Sequence, residues 1–180
     1  MGLIRKPHSV KLIIGFIFQD EDILNLAQRS LTRHFGRIDH ESQILPFTQT
    51  DYYQKEIGKD LKRKFISFKK LILPSGIAKI KFMTNRLEER FLHDGKRRIN
   101  IDPGYLDMAK LVLASTKDYM HRIYLDRGIY AEITLYYRKN SFKSWEWTYR
   151  DYATAEYISI FNTIRELYAG QVNQTCIHHI

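Results

Sequence analysis

Two segments of this chain carry charged and hydrogen-bonding side chains at every second position. Arg98, Asn100 and Asp102 alternate in the first, and Tyr130, Glu132 and Thr134 in the second. A period of two belongs to a strand, where residues two apart share a face. Each segment therefore predicts a strand with one apolar face and one polar face. Solvated strand faces carry scattered Lys, Glu and Thr, whereas this set resembles the lining of a polar site. Between the two lie Pro103-Gly104, read as a turn, and the apolar run Leu111-Val112-Leu113-Ala114.

The remaining elements follow from the same kind of patterning. Lys11 to Phe18 is short, β-rich and almost wholly apolar, the pattern of a buried strand. Asp20 or Asp22 can cap the helix that follows, whose Ile23, Leu24, Ala27, Leu31 and Phe35 recur at helical spacing before Gly36. Ile38 to Phe47 reads as a second strand. Thr48 to Lys59 reads as a loop with a short helical turn, and Leu61 to Ile72 as a third strand. Pro74 and Ser75 open a second helix with Ile77, Ile80, Thr84, Leu87 and Phe91 as its buried stripe.

Arg97 to Asp102 and Lys110 to Ser115 read as strands, with a helix over Tyr105 to Ala114 as the alternative to the latter. Arg122 to Leu125 and Ile129 to Tyr137 form a hairpin across Asp126-Arg127-Gly128. Tyr157, Ile160, Phe161, Ile164, Leu167 and Tyr168 give a C-terminal helix, capped by Thr154 and stopped at Gly170. The order predicts an α+β fold. Its core is ferredoxin-like, β-α-β-β-α-β, with an added hairpin and a C-terminal helix. The helices are expected on one face of the sheet, leaving the polar rows on the other. The chain of 180 residues predicts one domain over 8–172 and a disordered tail over 173–180.

Composition narrows the partners. The formal net charge of +9 favours polyanions: nucleic acid, nucleotides or phosphorylated small molecules. One cysteine, Cys176, excludes an internal disulfide and fits a reducing cytoplasm. The apolar run Leu12 to Phe18 ends at Gln19-Asp20-Glu21-Asp22, unlike a signal peptide, and no run approaches the roughly 18 apolar residues of a membrane span. The expectation is a cytoplasmic protein without a membrane partner.

Arg63, Arg98 and Arg122 are candidates to hold anionic groups, because a guanidinium pairs two phosphate oxygens at once. Asn100 would orient the ligand and Tyr130 would contact a sugar or base. Asp102 and Glu132, brought together, offer the hard oxygens that Mg²⁺ prefers, or would take a proton. The competing reading is an internal ion-pair network, Arg98 with Glu132 for example. The leading expectation is thus a phosphate-group or nucleotide-binding protein, Mg²⁺-dependent if the carboxylates converge; whether it is an enzyme stays open.

A second reading is an RNA-binding module on the basic run Lys59, Lys62, Arg63, Lys64, Lys69 and Lys70, with Phe65 and Phe68 interleaved either as stacking rings or as core. A third is a scaffolding subunit with an exposed apolar patch around Trp145 and Trp147, although the favoured expectation for these rings is a lid packed over the sheet end. Several signatures are absent. Gly58-Lys59 and Gly95-Lys96 lack the glycine of a phosphate-cradling loop, no zinc-protease helix occurs, and His-x-Ser appears once, at His40-Glu41-Ser42.

Six blocks carry a resemblance to a known family. They are Asp51-Tyr52-Tyr53, Leu61-Lys62-Arg63-Lys64-Phe65, Asn100 to Leu106, Lys110 to Ser115, His121 to Leu125 and Gly128 to Glu132. In this order, from about Lys11 to Tyr168, the chain resembles domain of unknown function 4416. Members of that family are of this length and often carry a GTP-binding label. The resemblance implies nucleotide binding only through that label, and neither of the usual GTP loops is present here.

Overall fold

The computed structural model describes residues 2–49 and 53–177, and every structural statement below is made of those residues. Its centre is β1 (Lys11–Phe18), buried at all eight positions because both faces of the sheet are covered there. Leu12, Ile14, Phe16 and Phe18 pack against the apolar stripes of α1 (Glu21–Phe35) and α3 (Ile77–Arg90). Ile13 turns the other way. It joins a second cluster built on α4 (Ala155–Ile177), where Tyr157, Phe161, Ile164 and Tyr168 lie one helical turn apart. Each such side chain, fully buried, contributes roughly 1.5–3 kcal/mol. The expectation of helices on one face only is therefore corrected. The spacing of α4 shows that it has an apolar stripe but not which side of the sheet that stripe meets.

Nine strands form one antiparallel sheet. Its main order runs β2 (Ile38–Glu41), β4 (Lys62–Phe68), β1, β5 (Ile99–Leu106), β6 (Lys110–Ser115), β8 (Ile129–Arg138), β7 (Ile123–Asp126). Short β3 (Leu45–Pro46) lies beside β4, and β9 (Ser141–Ser144) beside β8. The predicted Ile38–Phe47 strand breaks at Ser42, whose Oγ accepts from the Phe65 amide at 2.9 Å in place of a ladder partner. The short helical turn is α2 (Gln54–Ile57), preceded by Tyr53; residues 50–52 lie outside the described set. Arg127 and Gly128 both have positive φ, the geometry of a two-residue hairpin turn, and Lys139-Asn140 makes a second one that sequence reading passed over.

Two expected punctuation marks are absent. Pro103-Gly104 is no turn but the middle of β5, because β1 pairs with that strand throughout, Ile14 opposite Pro103 and Ile13 opposite Gly104. Gly104 is needed for close approach, since a Cβ there would stand 2.4 Å from the Val112 carbonyl oxygen. Gly170 does not stop α4, which continues to Ile177. One turn of that extension is anchored: Gln171 accepts from the buried ammonium of Lys11 and donates to the Lys69 carbonyl at 2.8 Å. No helix is long and apolar enough to cross a membrane.

Candidate ligand-binding site

The sheet is split where β5 leaves β6. The two strands pair only from Gly104 to Leu106, because Pro103 offers no amide and the strands part beyond it. The α3 helix fills part of the gap with charge. Glu88 Oε1 accepts from the Ile101 amide at 2.6 Å, and Lys81 Nζ donates to the Ile101 carbonyl at 3.1 Å. These side chains satisfy the backbone groups that β6 leaves unpaired. Beside them opens a cleft of about 840 Å³, a size that accepts a metabolite or cofactor.

Two charged clusters line it. On the α3 side, Asp102 accepts from Lys81 Nζ at 3.1 Å and from Asn100 Nδ2 at 2.5 Å; Asn100 Oδ1 in turn accepts from Arg97, which also pairs with Glu88 and Glu56. Burial pushes the Asp102 carboxyl up, but Lys81 and Arg63 outweigh it and hold the group below the ordinary carboxylate range. Glu88 moves the other way, raised by burial that Lys81 only partly offsets. Across the cleft, Arg122 donates to Glu132 Oε2 at 2.7 Å, to Ser115 Oγ at 2.8 Å, to the Lys117 carbonyl at 2.9 Å and to the Tyr149 hydroxyl. Glu132 also receives His121 Nε2 at 3.0 Å. Burial, with Glu132 close by, pushes the Tyr149 hydroxyl up to about 12, so it is protonated at neutral pH.

Arg63 is built differently. It is 3% exposed, and Nη2 meets Asp151 Oδ2 at 2.6 Å. Its guanidinium carbon lies 5.1–5.8 Å from the ring centres of Phe47, Phe65, Tyr152 and Tyr157. Nε and Nη1 have no hydrogen-bond partner, nor does the neighbouring Tyr152 hydroxyl.

Of the residues singled out from the sequence, Arg63, Asn100, Asp102, Arg122 and Glu132 line this one cleft. Arg98 does not. It precedes β5, pairs with Asp20, and faces a separate hollow of about 380 Å³ shared with Lys96 and His93. Tyr130 is also elsewhere, its ring edge-on to Tyr124 at 5.4 Å. Asp102 and Glu132 share the cleft, but each has cationic partners of its own. No group of three or more His, Cys, Asp or Glu is placed to hold a metal ion.

Lys81, Glu88, Arg97, Tyr149 and Asp151 were missed. For the helix pair a signal existed: Ile77, Lys81, Thr84 and Glu88 fall on one helical line, which places a lysine and a glutamate in a core stripe. Phe65 and Phe68 are fully buried, so they are core and not stacking rings. Lys62 and Lys64 pair with Glu21 and Glu41.

A family model described as Domain of unknown function (DUF4416) matches residues 8–168. No curated protein and no solved structure matches the chain.

Proposed function

We propose, for a chain that belongs to the family described as Domain of unknown function (DUF4416), that the split-sheet cleft binds a small anionic ligand of the phosphate-group or nucleotide class. The observation that carries this reading is the convergence of Arg63, Asp102, Arg122 and Glu132, from separate parts of the sequence, on one cleft. Buried charge of this kind costs stability and is characteristic of functional sites. The cleft walls are close to charge balance, Arg63, Lys81, Arg97, Lys117, Arg122 and Arg150 standing against Glu88, Glu89, Asp102, Glu132 and Asp151. The ligand's anionic group would meet exposed Arg150 at the rim, and the buried Arg63, whose Nε and Nη1 are sealed from the cleft, would act on it through its charge. The half-exposed ring of Tyr149 on the cleft lining offers a surface for a planar base. Asp102 and Glu132, each already paired with a cation, are the carboxylates that would hold Mg²⁺ if the ligand brought it.

The fold reading that goes with it is a ferredoxin-like half. In support, β2-β4-β1-β5 is the order expected of a split βαβ unit, with α1 and α3 packed on one face. A single cysteine accords with a cytoplasmic setting. The basic segment supports RNA binding less well, because Phe65 and Phe68, its stacking candidates, are core.

The test is thermal melting with nucleotides, phosphorylated sugars and inorganic phosphate, each with and without Mg²⁺. A ligand at 100 times its Kd adds about 2.7 kcal/mol, a rise of roughly 5–10 °C for a domain of this size. No rise for any of them at millimolar concentration defeats the proposal.

A further inference from the structure

The two outer strands of the sheet are finished differently. At one edge, β2 reads Ile-Asp-His-Glu, with Asp39 engaged by Lys11 and Ser67 and Glu41 by Lys64. Charged, occupied side chains of this sort keep an edge from pairing with another chain. At the other edge, all four residues of β7 are exposed, and three of them are Ile123, Tyr124 and Leu125. No lysine or proline guards that strand; its pairing with β8 shifts register between Tyr124 and Asp126, and its one acid, Asp126, is held at the hairpin tip by Arg127 at 3.5 Å.

The apolar surface continues beyond β7. Ile133 and Met120 are exposed beside it, and Trp147 Nε1 donates to the Ile133 carbonyl at 3.2 Å, fixing that indole along β8. Trp145 stacks on Trp147 with centroids 5.1 Å apart, and Trp147 on His121 at 5.6 Å, so the expected lid is instead an exposed ladder of rings. Tyr119, Tyr124, Trp145, Trp147 and Tyr149 each leave 38–57% of their surface open. At roughly 150–250 Å² per aromatic side chain, and with the aliphatic groups between them, the patch offers on the order of 800 Å², what each partner contributes to a standard interface.

We infer that a second copy of this chain occupies this patch, with β7 pairing antiparallel to β7 of its partner about a two-fold axis. A strand that meets its own copy in this way satisfies both unpaired edges at once. In a register centred on Tyr124, that ring faces its own copy across the axis. The charge distribution selects this occupant. A chain of net charge +9 repels its copies over most of its surface, but Asp126 and Arg127 neutralise each other here. An acidic partner would find its match on the basic faces and not on this patch. Tyr119 and Tyr149 belong to both the patch and the cleft rim, so the second copy forms part of the cleft mouth.

The test is the molar mass of the full chain by light scattering and sedimentation across the micromolar range, without ligand. A dimer is expected in the wild type. The double variant Tyr124→Lys, Leu125→Lys should weaken it about 30-fold or more, as loss of a central interface contact does. Ile123→Thr, which keeps a β-branched residue at an exposed position, should weaken it less. Circular dichroism and melting of the dilute variants check that the monomer stays folded. Slower amide exchange of residues 123–126 at high than at low protein concentration is the second expected result. A wild type monomeric throughout the range overturns the inference. So does a dimer that survives the double variant, or a patch found to bind some other macromolecule while the chain stays monomeric.

Discussion

Arg63 and Arg122 are both buried guanidinium groups on the same cleft, yet they are accommodated by different means. Arg122 has one ring close by, Tyr119 at 4.6 Å, but is held chiefly by oxygen: a carboxylate, two hydroxyls and a carbonyl surround it. Arg63 is held by rings, with one carboxylate and four aromatic side chains about it. Hydrogen bonds to a charged group contribute about 1.5–3 kcal/mol each, and a cation over a ring about 0.5–2 kcal/mol. The first environment leaves Arg122 little to offer a ligand, and its work is to fix the β6–β8 wall. The second leaves Nε and Nη1 of Arg63 without acceptors. The difference assigns a hydrogen-bonded scaffold role to one arginine and a buried, caged positive charge to the other.

The largest expected effect breaks the oxygen-held side. Arg122 and Glu132 are each about 1% exposed at the side chain, so Glu132→Ala strands a buried cation and should cost about 3–5 kcal/mol, read as a fall in urea midpoint at unchanged slope. Arg63→Met comes next. The ring cage accepts an unbranched apolar chain, and the cost, about 1–3 kcal/mol, comes mainly from leaving Asp151 unpaired. Adding Asp151→Asn should therefore return most of the lost stability. Ligand-induced melting shifts should stay absent in both Arg63 variants. If stability returns and the ligand response returns with it, the Arg63 charge does not serve the ligand and the contrast between the arginines collapses.

Why the sequence disclosed five cleft residues but not the cleft follows from what a period of two encodes. Alternation gives the face of a strand. It does not give distance along it, so Arg98 and Tyr130 shared the right parity and still fell outside. It is silent, too, on what the neighbouring helix contributes, and Lys81 and Glu88 passed unnoticed inside a stripe searched only for apolar residues. Pro103-Gly104 carries the signature of a turn in most settings. Here β1 holds it extended, and the proline ends the pairing with β6 and opens the gap. That outcome depends on partners distant in sequence, as does the continuation of α4 past Gly170 to reach Lys11. Tyr149 stood out only as the end of the aromatic run Trp145 to Tyr149, with no sign that it reached the cleft, and Asp151 lies just beyond in a segment without period.

A smaller effect tests the arginines from a distance, through Asp102. Its carboxyl is held below the ordinary range against burial by Lys81 and Arg63, with Arg122 not among its principal influences. A carboxylate whose folded pKa is depressed stabilises the fold above its unfolded value and loses that contribution as pH falls through the folded one. The loss therefore falls below about pH 4. Urea midpoints measured downward from pH 6 should drop in the wild type. The drop should shrink in Asp102→Asn, which has no proton to take up, and in Arg63→Met, which has lost part of the field on Asp102. An Arg122→Met, Glu132→Leu double variant, with the oxygen-held pair replaced by apolar groups, should keep the Asp102 step in a carboxyl-carbon NMR titration where the wild type has it. A step displaced equally by both arginine variants would mean that the two cations act on one shared electrostatic site, and the division of labour between rings and oxygens would have to be abandoned.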